Sequence, residues 1–384
     1  MERILKKAKL PKRRNWIRIT GLVVLSMLVI AGAVFYAVSR AASVRLNNHE
    51  NAIVSAQTGF VELKAADGIV NLENGLTAVR YDGDYGFDAF LSQGGAASES
   101  ELLSFFSSYF GLDRNHLSYA EGGFGCSTIS VQNESDGYLF GRNFDWMPCN
   151  AMIIEAHPRN GYRSISTVNV DFIHMGTRYL SVAMPDEVLI IAAIYVPLDG
   201  MNEKGLCVSV NMIEDSDTIQ QNSDKPDITT TTAVRLLLDQ AASVVEAINL
   251  LNEYDLHASF DYMVHFALSD ATGKSVVVEY IGDVMTITET PIITNFYLTQ
   301  GHKYGIGSQQ SHTRYELLND ALAEHPIMST DMVRDSLERV SKHHFRGSET
   351  TEWSIVFDQT SLIASYYHRE NYSKVYSFML DLTN

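Results

Sequence analysis

Residues 122–146 read GGFGCSTISVQNESDGYLFGRNFDW. Two runs of strand-forming residues, 127–132 and 138–146, flank the turn-forming sequence ESDG at 134–137. Alternating strands on either side of such a turn are typical of a β-hairpin. The sequence therefore predicts two antiparallel strands whose outer ends lie side by side.

That hairpin would bring three chemically active side chains together. Cys126 opens the first strand, and Arg142 and Asp145 lie near the end of the second strand. A cation close to a thiol favours the thiolate form, which is the nucleophilic form of cysteine. The pattern has two interpretations: a reactive cysteine, or a surface hairpin that carries ordinary charges.

The composition excludes one class of function. The 384 residues carry a formal net charge of -17 and are 46% hydrophobic, which fits one large or two ordinary globular domains. Residues 1–20 hold eight Lys or Arg against a single acid, so the rest of the chain is even more acidic. Because nucleic-acid binding depends on neutralising phosphates, we expect no nucleic-acid partner.

Three cysteines occur, at positions 126, 149 and 207. An odd number leaves at least one thiol free in an exported protein. Cys207 lies in an apolar run and is expected to be a small buried hydrophobe. A disulfide between Cys149 and Cys207 is an open alternative.

An uncharged apolar stretch follows the basic tail. It covers residues 21–38, and as a helix it would extend about 27 Å, close to the roughly 30 Å core of a bilayer. We expect residues 1–20 to form a cytoplasmic tail, residues 21–39 a single membrane anchor, and the remainder to face outward, since basic residues stay inside. A cleaved signal peptide is the alternative, although its apolar region is usually only about 7–15 residues long.

The rest of the chain groups its strands and helices. Residues 40–125 form a mixed segment with a helix predicted over 98–110, and we expect a linker or pro-segment here. After the hairpin, strand patterns, including one at 188–196, precede helical stripes at 230–254. More strands, two helices and three closing strands follow. Few strand–helix–strand alternations occur, which predicts an α+β fold of largely antiparallel sheets covered by helices.

Several common catalytic patterns are absent from the sequence. There is no His-Glu-x-x-His motif for zinc and no glycine-rich loop for phosphates or dinucleotides. The Gly-x-Ser-x-Gly elbow of serine hydrolases is also missing. Neither a metal nor an organic cofactor is expected.

Four ordered motifs provide a more specific indication. Cys126 is followed by GRNFD at 141–145, GMNEKGL at 200–206, ITN at 293–295 and HTRY at 312–315. In this order the motifs resemble the choloylglycine hydrolase family. That family includes bile salt hydrolases, penicillin V acylases and, more distantly, acid ceramidase and N-acylethanolamine acid amidase.

The resemblance implies that residues 126–384 form an N-terminal-nucleophile (Ntn) hydrolase domain, a four-layer αββα sandwich. It makes Cys126 the nucleophile and the freed α-amino group of the same residue the proton acceptor. An α-amine titrates near pH 7.7–8.0, about the working pH that suits a general base. Asp145 would hold this amine, while Arg142 and Arg314 would favour the thiolate and shape the site.

Two asparagines complete the implied site. Asn202 and Asn295 would donate hydrogen bonds to the oxyanion of the tetrahedral intermediate. Judged alone, Asn202 lies in a turn sequence and fits a structural role. Asn295, in an apolar run, would equally fit a hydrogen-bonded core position, and Arg314 a surface charge.

The chain departs from simple family members in one respect. In those proteins the cysteine follows the initiator Met, whereas 125 residues precede Cys126 here. We therefore expect cleavage between Gly125 and Cys126, as in the ceramidase-like branch. Since Gly125 has no side chain, the Cys126 thiol could attack its carbonyl directly. Residues 40–125 would then separate from the mature domain or stay docked on it.

The sequence predicts a membrane-anchored, outward-facing hydrolase of linear amides other than peptides. The resemblance implies small N-acyl amides as substrates, including conjugated bile salts, penicillin V and N-acyl lipids. An acyltransferase of the same fold and a non-catalytic membrane-anchored binding or scaffold protein are the alternatives. A homo-oligomer is compatible with the sequence.

Overall fold

The structure, a computed structural model, describes most of the chain after residue 58. The described residues are 59–110, 117–118, 125–177, 180–181, 185–343, 349–380 and 382. The predicted cytoplasmic tail and the predicted membrane anchor at 21–39 lie outside them. Among the described residues, no helix has the length and apolar character needed to cross a membrane.

Helices and strands alternate in groups along the described chain. The helices are α1 (Phe87–Ser92), α2 (Glu99–Phe110), α3 (Asp186–Ile194), α4 (Thr230–Gln240), α5 (Val244–Leu251), α6 (Gln309–Glu324) and α7 (Thr330–Arg339). The strands are β1 (Val70–Glu73), β2 (Leu76–Gly83), β3 (Leu117–Ser118), β4 (Gly125–Gln132), β5 (Tyr138–Trp146), β6 (Ala151–Pro158), β7 (Ser164–Asn169), β8 (His174–Thr177), β9 (Leu180–Ser181), β10 (Asp199–Asn202), β11 (Cys207–Met212), β12 (Asp227–Thr229), β13 (Asp255–His257), β14 (Val264–Ser269), β15 (Ser275–Ile281), β16 (Val284–Glu289), β17 (Ile292–Ile293), β18 (Thr350–Asp358), β19 (Ile363–His368) and β20 (Tyr376–Met379).

The larger of two main sheets has nine strands in the order β1-β2-β6-β7-β10-β11-β14-β15-β16. Every neighbouring pair in it is antiparallel except β2 and β6, which run parallel. A parallel pair needs a long crossover, and the chain between β2 and β6 includes the whole β4–β5 hairpin. The prediction of largely antiparallel sheets is confirmed, with this one exception in the nine-stranded sheet.

The second main sheet has six antiparallel strands in the order β17-β4-β5-β18-β19-β20. The predicted hairpin lies in its middle, with Cys126 opposite Phe144 across β4 and β5. Two small sheets, β12-β13 and β3-β8-β9, complete the described strands.

Alternate residues of β10 show which layers cover the nine-stranded sheet. The Asp199 carboxylate forms an ion pair with Arg142 of the six-stranded sheet. The next residue, Gly200, points the other way, because a Cβ added there would lie 2.7 Å from Leu238 of α4. Since successive residues of a strand face opposite sides, one face of this sheet meets the six-stranded sheet and the other meets α4.

The six-stranded sheet is covered in the same way. A Cβ added to Gly141 of β5 would lie 2.6 Å from Val333 of α7, whereas the adjacent Arg142 reaches towards the nine-stranded sheet. Helix α7 therefore lies outside the six-stranded sheet, together with α6, whose Leu318 belongs to the same apolar cluster as Val333. Helix α4 lies outside the nine-stranded sheet. The contacts give four layers in the order helix, sheet, sheet, helix.

The strand predicted over 188–196 is wrong, because this segment forms helix α3. Its apolar run has no polar alternation, and such runs do not distinguish a buried strand from a buried helix. The signals for a helix start were present, since Pro185 precedes Asp186 and Glu187, two acids in the first turn.

The segment before the hairpin is part of this body. Strand β2 lies inside the nine-stranded sheet between β1 and β6. Tyr195, which follows α3, is enclosed by aromatic rings of α1 and α2 at centroid distances of 4.9 to 6.2 Å. These rings belong to Phe87, Phe90, Phe105 and Phe106. Residues 59–110 therefore share a core with the strands that follow Cys126.

A buried polar contact joins the same two parts. The Tyr85 hydroxyl donates to the Asp239 carboxylate at 2.6 Å, and Arg235 pairs with Asp239 at 2.7 Å. Burial raises the pKa of Asp239 to about 6, although Arg235 and Tyr85 oppose this shift. The folded protein therefore binds a proton at Asp239 more tightly than the unfolded chain does.

This raised pKa gives the Asp239 contribution to stability a pH dependence. The contribution is largest below the ordinary carboxyl range and is lost as the pH rises through about 6. When the pH falls from about 7 to about 5, we expect the unfolding free energy of the wild type to rise by about 1 kcal/mol more than that of Asp239→Asn. Urea unfolding at both pH values checks this, and equal pH dependence in the two proteins would contradict it.

Candidate active site

Cys126 lies fully buried near the start of β4, between the two main sheets. Its backbone N–H donates to Asn295 Oδ1 at 2.9 Å, and its Sγ lies 3.4 Å from Arg142 Nη2 and 3.7 Å from the Val210 carbonyl oxygen. Burial raises the pKa of the thiol to about 11, while the Arg142 charge acts in the opposite direction. The thiol of the uncut chain is therefore held neutral near pH 7, beside a cation.

Arg142 is fixed by the strands of both sheets. Its guanidinium donates to the carbonyl oxygens of Leu198 and, at 3.1 Å, Val210, and its Nε lies 3.2 Å from Asp199 Oδ2. Burial raises the pKa of Asp199, and the Arg142 charge opposes that shift. A buried cation held by two carbonyl oxygens and one carboxylate cannot rotate away from the Cys126 sulfur.

A second buried cation links the remaining predicted residues. Arg314 of α6 donates from Nη1 to Asp145 Oδ2 and from Nη2 to Asn295 Oδ1, both at 2.6 Å. Thr351 of β18 donates to the other Asp145 oxygen at 2.7 Å. These contacts join Asp145, Arg314 and Asn295 to the backbone N–H of Cys126 in one continuous network. The structure thus brings five of the six predicted residues together.

Asn295 follows β17 and occupies the centre of that network. Its side-chain Nδ2 donates to the Met212 carbonyl oxygen at 2.7 Å, and its backbone N–H donates to Ser311 Oγ at 2.6 Å. Contacts from β11 and α6 therefore fix the amide orientation, with the oxygen towards Cys126 and Arg314.

The sixth predicted residue, Asn202, lies elsewhere. It ends β10, three residues beyond Asp199, and its Nδ2 donates to the carbonyl oxygens of Leu238 and Ala241. Its Oδ1 accepts the backbone N–H groups of residues 204 and 206. Both amide hydrogens are used in holding the turn after β10 against α4. This geometry fits the structural role that the turn sequence of Asn202 also allowed, and it leaves neither amide hydrogen available for the predicted donation to an oxyanion.

The nearby Asn211 differs from Asn202 in what its side-chain amide contacts. Asn211 of β11 is fully buried, and its Nδ2 has no hydrogen-bond partner among the described residues, although its Oδ1 accepts from Ser209. Asn211 lies opposite His265, on the face of the nine-stranded sheet that meets the six-stranded sheet. It also follows Val210, whose carbonyl oxygen contacts the Cys126 sulfur. The polar positions 209 and 211 within an apolar strand were the available sequence signal.

The Gly125–Cys126 bond borders a small charged cleft of about 40 Å³. A Cβ added to Gly125 would lie 2.7 Å from Lys342 Nζ and 3.1 Å from Asp145 Oδ2. Lys342 itself pairs with Glu349 at 2.5 Å. A larger residue at position 125 would therefore crowd the Asp145 carboxylate and the Lys342 ammonium group.

Val210 also lines an apolar cleft of about 10 Å³. Phe172 and Phe260 line it, with ring centroids 5.5 Å apart. Phe172 in turn meets Trp146 at 5.1 Å, at the end of β5. Because Val210 contacts the thiol through its carbonyl oxygen and lines the cleft, the cleft is adjacent to the Cys126 site.

The other two cysteines take no part in this arrangement. Cys149 and Cys207 are both buried free thiols, so the alternative of a disulfide between them is not realised in the structure. In the described part of the chain, no group of three or more His, Cys, Asp or Glu could hold a metal ion.

Comparison with known proteins gives one family and several similar folds. The model of the linear amide C-N hydrolases, choloylglycine hydrolase family, matches residues 126–325, beginning at Cys126. A mutant of conjugated bile acid hydrolase from Clostridium perfringens has a similar structure, with a TM-score of 0.50 and 17% identity over 67% of this chain and 93% of that chain. Penicillin V acylase from Agrobacterium tumefaciens gives a TM-score of 0.44 and 17% identity over 63% of this chain and 83% of that chain.

The family match covers more than half of this chain, and it places Cys126 at its first position. The likeness to the bile acid hydrolase extends to the fold, which agrees with the layers described above. The chain therefore belongs to the choloylglycine hydrolase family, the hydrolases that act on the C–N bonds of linear amides.

Proposed function

We propose that this chain is an N-terminal-nucleophile hydrolase that cleaves an N-acyl amide through a thioester on Cys126, after cleavage of its own Gly125–Cys126 bond. The observation that carries the proposal is the setting of Cys126. Its thiol lies 3.4 Å from the buried Arg142, and its backbone nitrogen faces the network of Asn295, Arg314 and Asp145.

Cleavage of the chain comes first. The Cys126 sulfur attacks the carbonyl carbon of Gly125, the C–N bond between the two residues breaks, and the thiol proton passes to the departing α-amine. Water then hydrolyses the Gly125 thioester, which releases a carboxylate and restores the thiol. The support is the absence of a side chain at Gly125, where any Cβ would meet Asp145 and Lys342.

Turnover uses the α-amine that this cleavage frees. The pKa of a free α-amine is about 8, whereas that of a carboxyl group is about 4. The amine can therefore accept the thiol proton as the sulfur attacks the substrate. The Asp145–Arg314–Asn295 network would hold the amine in place. The amine then returns the proton to the leaving group, and water resolves the acyl-enzyme.

We assign the oxyanion donor of β11 to Asn211. Its buried Nδ2 lacks a partner, and an unpaired buried donor costs free energy unless it serves a ligand. A developing oxyanion would satisfy that donor in the transition state, where such a hydrogen bond is most effective. Asn202 would have to break two hydrogen bonds to do the same.

The first experiment determines the mass and N-terminal sequence of the purified protein and then its turnover. We expect a fragment that begins at Cys126 and that releases the amine from a panel of N-acyl amides. Alkylation of Cys126 after cleavage should stop turnover, which separates the thiol's role in hydrolysis from its role in cleavage. An acyltransferase would give an acylated acceptor when a second amine is added, and a binding protein would retain ligands without releasing any amine.

We also propose that the upstream segment stays docked after cleavage. The eight residue pairs between β2 and β6, the aromatic cluster around Tyr195 and the Tyr85–Asp239 contact support this. The product would be two chains held without a covalent bond. The sequence supports a membrane anchor at 21–39, which would then tether the upstream chain directly and the catalytic chain only through this docking.

Gly95 provides a test of the docking. Its φ is +72°, and a Cβ added there would lie 1.9 Å from the Asp227 carbonyl oxygen, beside the hydrogen bond from Ala96 N–H to that oxygen. We expect Gly95→Ala to lower the unfolding free energy by about 3 kcal/mol and to release the upstream chain at lower urea. Size-exclusion chromatography of the cut protein in urea measures this.

Gly94→Ala is the matched control. Gly94 also has a positive φ, +105°, but a Cβ there would meet nothing within 4 Å. We expect only the backbone strain of about 1 kcal/mol in this variant. Equal release of the upstream chain in both variants would argue against the Gly95–Asp227 contact as a docking point.

A further inference from the structure

The upstream segment reaches the apolar cleft beside Cys126 through one carboxylate. Glu99, the first residue of α2, accepts the backbone N–H of Phe260 at 2.9 Å. Phe260 lines the cleft together with Phe172. A residue that precedes the cleavage point thus contacts a wall of the cleft that adjoins the nucleophile.

The backbone at this wall is in an unusual conformation. Phe260 and the following Asp261 both have a φ of +57°, in the left-handed region that non-glycine residues rarely adopt. Such residues persist only where surrounding contacts hold them. The preceding residue, Ser259, is held by the start of α4, because its N–H donates to Thr230 Oγ1 at 3.0 Å. Glu99 provides the contact to Phe260 itself.

We propose that Glu99 is a positioning residue of the substrate site, which holds the left-handed turn at Phe260 and so sets the width of the cleft that receives the acyl group. This inference rests on the proposed acyl-amide hydrolysis. It makes the upstream chain a part of the substrate site after cleavage, in addition to its place in the sheet. With a volume of about 10 Å³, the cleft has room for about one water molecule in the uncut chain, so the position of the Phe260 ring decides which acyl chains enter.

The test compares acyl preference in cut, purified protein. The substrates are butanoyl, octanoyl and hexadecanoyl amides of the same chromogenic amine, and kcat and KM are measured separately. In Glu99→Ala we expect the ratio of kcat/KM between hexadecanoyl and butanoyl substrates to change by about fivefold or more, through KM, with kcat for the butanoyl amide nearly unchanged. Glu99→Gln should keep the wild-type ratio, because its carboxamide oxygen can accept the same N–H.

Glu101→Ala is the matched control. Glu101 lies in the same helical turn and also accepts a backbone N–H, that of Ala97, within its own segment. Its removal weakens the helix start without touching Phe260, so we expect the wild-type ratio. If Glu99→Ala prevents folding or cleavage, Phe260→Asn replaces it. Asparagine tolerates a positive φ, so the turn remains while the ring is lost and the ratio should change.

The outcomes separate this inference from the proposed function. A wild type that hydrolyses none of the amides would overturn the proposed function and the inference with it. An active wild type whose ratio is unaltered in Glu99→Ala or in Phe260→Asn would overturn the inference alone. Equal loss of kcat on every substrate in Glu99→Ala, or a change in Glu101→Ala as large as that in Glu99→Ala, would also overturn it.

Discussion

Replacing Cys126 by alanine is expected to leave the chain in one piece and to abolish amide hydrolysis. The variant lacks the sulfur that attacks Gly125 and the substrate, and without cleavage the α-amine stays in a peptide bond. Loss of a nucleophile and its base together should lower kcat/KM by at least about a thousandfold. Intact mass and the amine-release assay, run beside the wild type, measure both effects.

Cys207→Ala is the control for a general effect of losing a buried thiol. Cys207 is a fully buried free thiol on β11, and among the hydrogen bonds of the described residues none joins its sulfur to Arg142, whereas Cys126 has such a bond. We expect this variant to be cut and active, with a modest loss of stability from the smaller side chain. A Cys126→Ala protein found cut before residue 126 would show that a separate protease acts there.

Asn211→Ala is expected to reduce turnover strongly and stability only slightly. If its amide donates to the oxyanion, removal should lower kcat by about a hundredfold to a thousandfold. Cleavage of the chain passes through a similar oxyanion and should slow as well. The unfolding free energy should fall by only about 1 kcal/mol, because the Ser209 hydroxyl loses its acceptor whereas Asn211 Nδ2 has no partner to lose among the described residues. Single-turnover acylation and urea unfolding measure the two quantities.

Asn202→Ala should show the opposite pattern. The four hydrogen bonds of its amide hold the turn after β10, and their loss leaves buried backbone groups unpaired, at a cost of about 3 kcal/mol or more. The folded fraction should turn over substrate at close to the wild-type rate. A stable Asn202→Ala protein with strongly reduced kcat would instead support the catalytic role that the sequence motif implied.

Asn202 and Asn211 show which part of the site the sequence predicts and which part it does not. Hairpin chemistry places Cys126 beside Arg142, because the turn between their strands is local in the chain. The GMNEKGL motif draws attention to Asn202, but a motif identifies a segment and not the direction of each side chain. Only the alternation along β10 and β11 tells which asparagine lies on the face that meets the six-stranded sheet, the sheet that carries the cysteine.

Other features of the fold could not be predicted from the sequence because they depend on contacts between residues far apart in the chain. No local pattern indicates that β2 pairs with β6, since the partners lie far apart in the chain and the pairing closes around the whole hairpin. The same distance hides the contact between Glu99 and Phe260. The helix at Asp186–Ile194 was missed for a local reason, because a short apolar run fits either element.

Because β2 lies inside the nine-stranded sheet, cleavage of the chain changes how the protein can refold. The uncut chain assembles this sheet within one molecule, so its folding is independent of concentration. Once the Gly125–Cys126 bond is broken, the same sheet can be rebuilt only by an encounter between two chains, and a catalytic chain without β2 would expose β6 as an open edge prone to aggregation. Maturation would thus make folding a one-time event, and the cut enzyme would persist through slow unfolding rather than through the ability to recover.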